Sequence, residues 1–334
     1  MDKIFKVALV GCGTISGNHI RALLDVPYAK IVAICDKVPE KAEGKKAEFG
    51  LDAKVYDNYE KMLECEDLDS VHIATPHYLH ASMAIAALKK NINVFLEKPI
   101  CISREEIDAL KAAEAESSAS VCVCFQNRFN PSTVLAKKLA DEDGGVISAF
   151  GTVFWYRGEK YYTESGWRGA YATEGGGVMI NQAIHTIDLL CYYLGIPKTV
   201  IATKANHHLK GIIEVEDSCE GMISFDDGKF ANFYTTTAFA GKDTTIVCLI
   251  TKNKRKIQIQ DSKLYLNGNM IEDPSLIQDF YGKECYGNGH MYLIAKYYKA
   301  LKDGLEMPVT LESAEYALRI LLAAYESGDE ETII

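Results

Sequence analysis

The first 125 residues alternate short apolar runs with amphipathic stretches. The run 6–10 (Lys6-Val7-Ala8-Leu9-Val10) leads straight into Gly11-Cys12-Gly13-Thr14-Ile15-Ser16-Gly17, the order strand, glycine turn, helix. The run 31–35 predicts a second strand that ends at Asp36. A charged helix follows over 39–49, stopped by Gly50, then a short strand at 54–56 and a short helix over 58–65. Residues 70–74 predict another strand, broken by Thr75-Pro76, and Ala81, Ala84, Ile85 and Leu88 mark the buried face of the next helix. A buried strand at 93–96 closes on Glu97-Lys98-Pro99, a helix covers 107–116, and 120–125 reads as the last strand. Strands that alternate with helices in this way predict a parallel sheet wound by helices on both faces.

From Gly145 the pattern changes. Longer stretches alternate over 147–156, 200–205, 220–225, 230–238 and 244–250, which favours a largely antiparallel sheet with one face covered. Helices are expected over 182–194 and, as a late pair, over 289–301 and 311–325. The division is expected near 127–131, giving a dinucleotide-binding domain at 1–126 and a second α/β domain at 127–334. No internal repeat or low-complexity linker separates them.

Composition narrows the classes. A chain of 334 residues is long enough for two cores. Acidic residues exceed basic ones, 46 against 36, for a net charge of −10 with no basic block, which argues against nucleic acid as a partner. No apolar run is long enough to span a bilayer, and the first apolar segment reads as a strand rather than a leader peptide, so no membrane partner is expected. The ten cysteines contain no C-x-x-C pair; Cys12, Cys35, Cys122, Cys124 and Cys248 lie in or beside apolar runs as small hydrophobes. Reduced thiols and a cytoplasmic location are expected.

The first turn carries the clearest chemistry. Glycines after a strand let the backbone approach a pyrophosphate at a helix N-terminus, and Ser16 in the third position is small enough for close helix–strand packing. Asp36 can accept hydrogen bonds from the adenosine ribose hydroxyls and repel a 2′-phosphate, so NAD is expected ahead of NADP, although Lys37 softens that preference. Gly11, Gly13, Thr14, Ile15, Asp36 and Lys37 are therefore candidate cofactor-binding residues. Thr75, Pro76, His77 and His80 after one strand, and Glu97 and Lys98 after the next, extend the candidate set along the carboxyl edge of the sheet. His77 and His80 are expected to line the crevice or cap the following helix. The spacing of His72, His77 and His80 matches no metal signature, and no metal is expected.

Two further segments carry candidate catalytic groups. Pro99 must end its strand, which leaves Lys98 at the rim, either to hydrogen-bond a substrate hydroxyl and stabilise charge on its oxygen or as a solvated surface lysine. In the segment 175–188, three glycines precede a helix on which Asn181, His185 and Asp188 stand at i, i+4 and i+7, one face. Such a polar stripe calls for buried partners or a ligand. His185 is the natural general base, since an ordinary imidazole titrates near ~6.5; the other reading is a core histidine held by Asp188. Tyr161, Tyr162, Trp167 and Arg168 form an aromatic and cationic cluster suited to sugar rings and to phosphate or carboxylate, or a loop packed on its own protein.

Taken together the motifs V-G-C-G-T-I-S-G-N-H (10–19), A-T-P-H-Y-L-H (74–80), E-K-P (97–99), N-R-F-N-P (127–131) and G-G-G-V-M-I-N-Q-A-I-H-T-I-D (175–188) resemble the Gfo/Idh/MocA oxidoreductases over essentially the whole chain. The resemblance implies a Rossmann domain followed by an α/β domain whose open, mostly antiparallel sheet mediates homodimers or homotetramers. It implies NAD(H)- or NADP(H)-dependent oxidation or reduction at a hydroxyl-bearing carbon of a sugar, sugar derivative, sugar nucleotide or inositol. Lys98 matches the family's lysine that contacts the substrate hydroxyl and the nicotinamide ribose, with Lys98–Pro99 a candidate cis peptide, and His185 matches the catalytic histidine. Asn181 stands where many members have Asp, and it cannot take a proton or stabilise an imidazolium by charge. In this reading Lys98, His185 and Asn181 are catalytic, and Arg128, Tyr162, Trp167, Arg168, Asn181 and His185 contact substrate. Alternatives are an enzyme that retains NAD to process glycosides and a non-catalytic NAD-binding sensor.

Overall fold

Strands buried on both faces need no polar side, and the early apolar runs behave accordingly: Val7, Ala8 and Leu9 are wholly buried. The computed structural model describes residues 3–276, 287–328 and 330–334. The chain opens with β1 (Phe5–Val10), α1 (Ser16–Leu24), β2 (Ala29–Cys35), α2 (Pro39–Phe49), β3 (Lys54–Tyr56) and α3 (Tyr59–Cys65). It continues with β4 (Ser70–Ile73), α4 (His80–Leu88), β5 (Asn93–Leu96), α5 (Arg104–Ala115) and β6 (Val121–Val123). These six strands form one parallel sheet in the order β3-β2-β1-β4-β5-β6. The order reverses at β1, so a crevice opens between the carboxyl ends of β1 and β4, the place where ligands bind in doubly wound sheets.

The next elements are α6 (Pro131–Glu142), β7 (Val146–Phe154), α7 (Glu159–Thr163), α8 (Tyr171–Glu174), a π-helical turn (Met179–Ala183) and α9 (Ile184–Leu194). Then come β8 (Pro197–Ala205), β9 (Ser218–Phe225), β10 (Phe230–Thr236), β11 (Thr244–Thr251), β12 (Lys256–Gln260), β13 (Lys263–Leu266) and β14 (Asn269–Met270). The chain ends with α10 (Gly289–Asp303), α11 (Leu311–Glu326) and β15 (Thr332–Ile333). The second sheet has nine strands, β14-β13-β12-β11-β7-β10-β9-β8-β15, antiparallel except where β10 lies parallel to β7. One face is covered by α9; Gly151 of β7 makes that approach, because a Cβ there would lie 2.5 Å from Thr186 Cγ2. On the other face Phe150, Met222, Phe230 and Tyr234 are exposed.

The chain does not divide at a single point. Met1–Phe125 is joined by His290–Ala314 in one unit, and Gln126–Gly289 is joined by Glu315–Ile334 in the other. The cause lies in α10, whose Tyr297 and Tyr298 are fully buried. Tyr297 meets Ser70 at 2.8 Å and Tyr298 meets His72 at 2.9 Å, both on β4. An amphipathic helix shows that it has a buried face but not which sheet will bury it. No helix among the described residues is long and apolar enough to cross a membrane.

Candidate active site

The glycine turn is built by close backbone approach. Gly11 has φ +89°, and a Cβ there would lie 2.3 Å from the Ala74 carbonyl oxygen at the end of β4. Gly13 faces open space, with no heavy atom within 4 Å of where its Cβ would be. Ser16 closes the turn by donating its hydroxyl to the Gly13 carbonyl (2.6 Å). Helix α1 then starts with no side-chain cap and no acidic residue in its first turn, which leaves its positive end for an anion. Asp36, half-buried at the end of β2, accepts from the backbone N–H of Cys12 (2.8 Å) and of Val38 (2.9 Å), and Lys37 is exposed. A turn with glycines at 11 and 13, an uncapped helix end and a fixed carboxylate fit the pyrophosphate and adenosine ribose of a dinucleotide. Residues 11–15 would hold the first and Asp36 the second.

The ends of β4 and β5 behave differently from one another. Thr75 and Pro76 are half-buried, and His77 is buried in the turn that follows. His80 is a brace rather than a lining residue: it is wholly buried, with Nδ1 2.6 Å from the Pro99 carbonyl and Nε2 2.9 Å from the Thr75 carbonyl. It thereby ties the two strand ends together. The Lys98–Pro99 bond is cis, and Lys98 is half-buried. Glu97, expected among the cofactor contacts, is instead 6% exposed and turned into the core.

There Glu97 ends a buried chain of hydrogen bonds. Tyr298 pairs with His72 Nε2 (2.9 Å), His72 Nδ1 with His19 Nδ1 (2.9 Å), and His19 Nε2 with Glu97 (2.9 Å). One proton arrangement satisfies every member. The tyrosine donates to His72, which donates to His19, which donates to the carboxylate, and both imidazoles are neutral. Burial lowers the titration of both histidines, and well below the usual value at His72. Burial alone would raise Glu97, but the hydrogen bonds from His19 and His290 outweigh it and hold the carboxyl well below its usual range. Ligand atoms of His19, Glu97, Cys124 and His290 lie within 4.8 Å of one another. Those atoms form a donor set that could close on a metal, and here His19 and His290 (3.4 Å) both pair with the carboxylate. His72, one of the three histidines weighed for metal in the sequence, is part of this core. His19 and His290 were not visible as site candidates, because their partner is far away in the chain.

In the second unit, the glycines at 176 and 177 permit a close approach to Tyr325 and Glu216: Cβ atoms would lie 1.9 Å from Tyr325 Oη and 1.8 Å from the Glu216 carbonyl oxygen. The Glu216 carboxylate caps the segment by accepting from the N–H groups of Gly177 (2.9 Å) and Met179 (3.0 Å). The polar stripe expected along the following helix is present but does not act as one group. Asp188 does not hold His185; it forms a buried two-point ion pair with Arg128 (2.9 and 2.6 Å). Arg128, expected among the substrate contacts, is buried in this pair, with Tyr192 stacked on it at 5.6 Å. His185, 7% exposed, has Nε2 3.5 Å from Gln126 Nε2. Asn181 is half-buried and turns toward Glu174 and Tyr161.

The aromatic cluster also sorts itself. Tyr162 packs into a small core with Leu209, Ile213 and Val215 and is 4% exposed, so the ring expected at the substrate is a packing residue. Its neighbour Tyr161 faces the polar residues instead, meeting Asn181 Nδ2 at 3.3 Å and Gln182 Nε2 at 3.1 Å. Arg168 lies over Tyr161 (4.3 Å) and over Trp167 (4.7 Å). Glu174, absent from the sequence-derived candidates, is fully buried beside them.

Comparison with known proteins agrees with this architecture. Residues 5–125 match the oxidoreductase family with an NAD-binding Rossmann fold, and residues 135–254 match the GFO/IDH/MocA C-terminal domain. Scyllo-inositol 2-dehydrogenase (NAD(+)) of Bacillus subtilis (strain 168) is 31% identical over 204 residues, 60% of this chain and 57% of that protein, less than two thirds of its length. Levoglucosan dehydrogenase of Pseudarthrobacter phenanthrenivorans is 27% identical over 274 residues, 72% of this chain and 70% of that protein. The crystal structure of the WlbA dehydrogenase from Bordetella pertussis in complex with NADH and UDP-GlcNAcA is similar at 26% identity and a TM-score of 0.88, covering 100% of this chain and 99% of that one. With both halves matched in order, the chain belongs to the GFO/IDH/MocA family of oxidoreductases.

Proposed function

We propose that this protein is an NAD-dependent dehydrogenase acting on a hydroxyl-bearing carbon of a sugar, a sugar derivative (sugar nucleotides included) or an inositol. The observation that carries the reading is the glycine cradle at the uncapped end of α1, with Asp36 fixed beside it by two backbone donors. Bound NAD would supply the hydride acceptor. Lys98, half-buried where β5 ends, places a cation at the carboxyl edge of the sheet and stabilises charge on a reacting oxygen. His185 is the proton acceptor. A donor from the Gln126 amide toward Nε2 favours the tautomer with its lone pair there, the form that a general base needs. Asn181 orients the substrate, and Arg168 with Trp167 and Tyr161 offers a flat cationic and aromatic surface to a sugar ring or an anionic group.

The relatives named for scyllo-inositol and levoglucosan, and the complex with UDP-GlcNAcA, support this substrate class. Among the described residues no two cysteines form a disulfide, which supports a cytoplasmic location, and the exposed Phe150, Met222, Phe230 and Tyr234 on one sheet face support a homodimer or homotetramer. The test is NAD reduction across a panel of sugars, inositols and sugar nucleotides, with Lys98→Ala and His185→Ala beside the wild type and NADH binding followed by fluorescence. Turnover in the wild type that collapses in both variants, with NADH still bound, is the expected result. Near-normal turnover in both variants, or no NAD reduction by any panel member, overturns the reading.

A further inference from the structure

The second unit holds five arginines, and four of them grip a carboxylate. Arg128 meets Asp188 at 2.6 Å, Arg157 meets Asp243 at 3.1 Å, Arg255 meets Asp143 at 2.9 Å and Arg319 meets Glu315 at 3.3 Å. Arg168 is the exception. No acceptor among the described residues meets any of its guanidinium nitrogens, and its Nε is buried without a partner. A guanidinium is always charged and carries five N–H donors in a planar fork. Donors left unmet inside a fold are costly, so a charged group in that state calls for a partner that arrives from outside.

The position of Arg168 is fixed. The side chain is half-buried against two rings, Tyr161 at 4.3 Å and Trp167 at 4.7 Å. Stacking serves the faces of a guanidinium and leaves its edges, where the N–H groups point, unserved. Ser165 Oγ accepts from the Arg168 backbone N–H (3.0 Å), and the Thr173 hydroxyl donates to the Trp167 carbonyl (2.6 Å), which pins the segment. The Tyr161 hydroxyl lies 3.3 Å from Asn181 Nδ2, so Arg168 stands one phenol ring away from Asn181. Glu174 acts on Arg168 through space but does not close an ion pair with it. Its oxygens accept from the Gly169 N–H and from Asn181 Nδ2, each at 2.6 Å. Burial also pushes its carboxyl up to about 7, so at neutrality much of it carries no counter-charge.

We propose that Arg168 binds an anionic group of the substrate, a carboxylate or a phosphoryl group, so that this protein acts on a charged sugar in preference to a neutral polyol. The proposal rests on the dehydrogenase reading and narrows its substrate class. Either group brings two oxygens and a negative charge to the terminal nitrogens of the fork. A neutral hydroxyl brings one oxygen and leaves the charge unmatched. The four paired arginines of the same unit show the partner that a guanidinium takes here when the chain itself supplies one. At Arg168 the substrate supplies it, with Tyr161 and Trp167 holding the plane of the fork in place beforehand.

The test is calorimetric titration of the full chain, with NADH present, by D-glucuronate, D-glucose 6-phosphate, UDP-glucose and D-glucose. At least one of the three charged probes should bind the wild type roughly tenfold or more tightly than D-glucose, as hydrogen bonds to an ionised group require. Preference for D-glucuronate marks a carboxylate site, and preference for either of the others a phosphoryl site. Arg168→Gln should abolish the preference and leave D-glucose binding unchanged. A wild type that prefers no charged probe overturns the proposal, and so does a preferred probe that binds Arg168→Gln as tightly as wild type. If Arg168→Gln fails to fold, Arg168→Met, which keeps the stem against both rings, is titrated in its place. These are binding measurements and do not depend on hydride transfer. NAD reduction by a neutral polyol, with no charged probe preferred, removes this inference and leaves the dehydrogenase standing. A preference erased in the variant, with no NAD reduction by any compound, does the reverse.

Discussion

Asp36 gives the most informative single substitution. Its two oxygens accept from Cys12 N–H at 2.8 Å and Val38 N–H at 2.9 Å, so it both ties the glycine turn to the end of β2 and sets a negative charge beside the cradle. Asp36→Asn keeps the shape, removes the charge and leaves one acceptor oxygen for two backbone donors. Losing a hydrogen bond between an ionised group and the adenosine ribose costs ~1.5–3 kcal/mol, which weakens NAD by roughly 10- to 150-fold. The same change relieves repulsion against a 2′-phosphate. Two unit charges about 5 Å apart at an effective dielectric of ~20 interact by roughly 3 kcal/mol, so the preference against NADP should fall by about a further hundredfold. The assay is fluorescence titration of NADH and NADPH into wild type and variant. Unchanged NADH affinity together with an unchanged NADH-to-NADPH ratio would refute the placement of the ribose at Asp36.

Other expectations follow from the packing. Asp188→Asn strands the buried Arg128 guanidinium and should destabilise the protein by ~3–5 kcal/mol in urea denaturation; a loss too small to measure would mean that the ion pair does not hold the second unit. Gly177→Ala must displace the Glu216 carbonyl, 1.8 Å from the new Cβ, at a cost of ~1–3 kcal/mol; a midpoint equal to wild type would contradict that crowding. His72, held well below its ordinary 6.5 by burial and then by His19, refuses a proton that the unfolded chain accepts. Stability should be full above about pH 6.5 and fall as pH drops, by up to ~1.4 kcal/mol per pH unit for this group. His19 and His80 act in the same direction. His72→Gln should flatten the slope in denaturation series run at several pH values, and a slope as steep as wild type would assign it to other groups.

Much of this architecture could be read before any coordinates, and the reasons are local. Continuous apolar runs ending in glycine or proline identify parallel strands, and a strand running into Gly11-x-Gly13 with an acid after the second strand identifies the cofactor edge. What escaped depends on distance. Arg128 looked available because its partner Asp188 stands 60 positions away in sequence. Tyr161 and Tyr162 are adjacent, and only the packing of Leu209, Ile213 and Val215 decides which ring turns inward. The return of α10 to the first unit is set by Tyr297 and Tyr298 meeting Ser70 and His72, a pairing that periodicity cannot show. The stripe at 181, 185 and 188 was visible as a helical face, but its members have three different partners, and the π-helical turn under Asn181 has no pattern in the residues. Glu174 stands before the glycine run, where its burial against Gly169 leaves no trace in the local sequence.

The central claim is that hydride passes from a carbinol carbon to NAD on this protein, and isotope transfer tests it most directly. A polyol that reduces NAD is supplied with deuterium at the reacting carbon, and the nicotinamide product is analysed by mass spectrometry. The account predicts NADH carrying one deuterium, formed by the wild type and not by Lys98→Ala or His185→Ala. Product without deuterium, or the same labelled product from both variants, would contradict it.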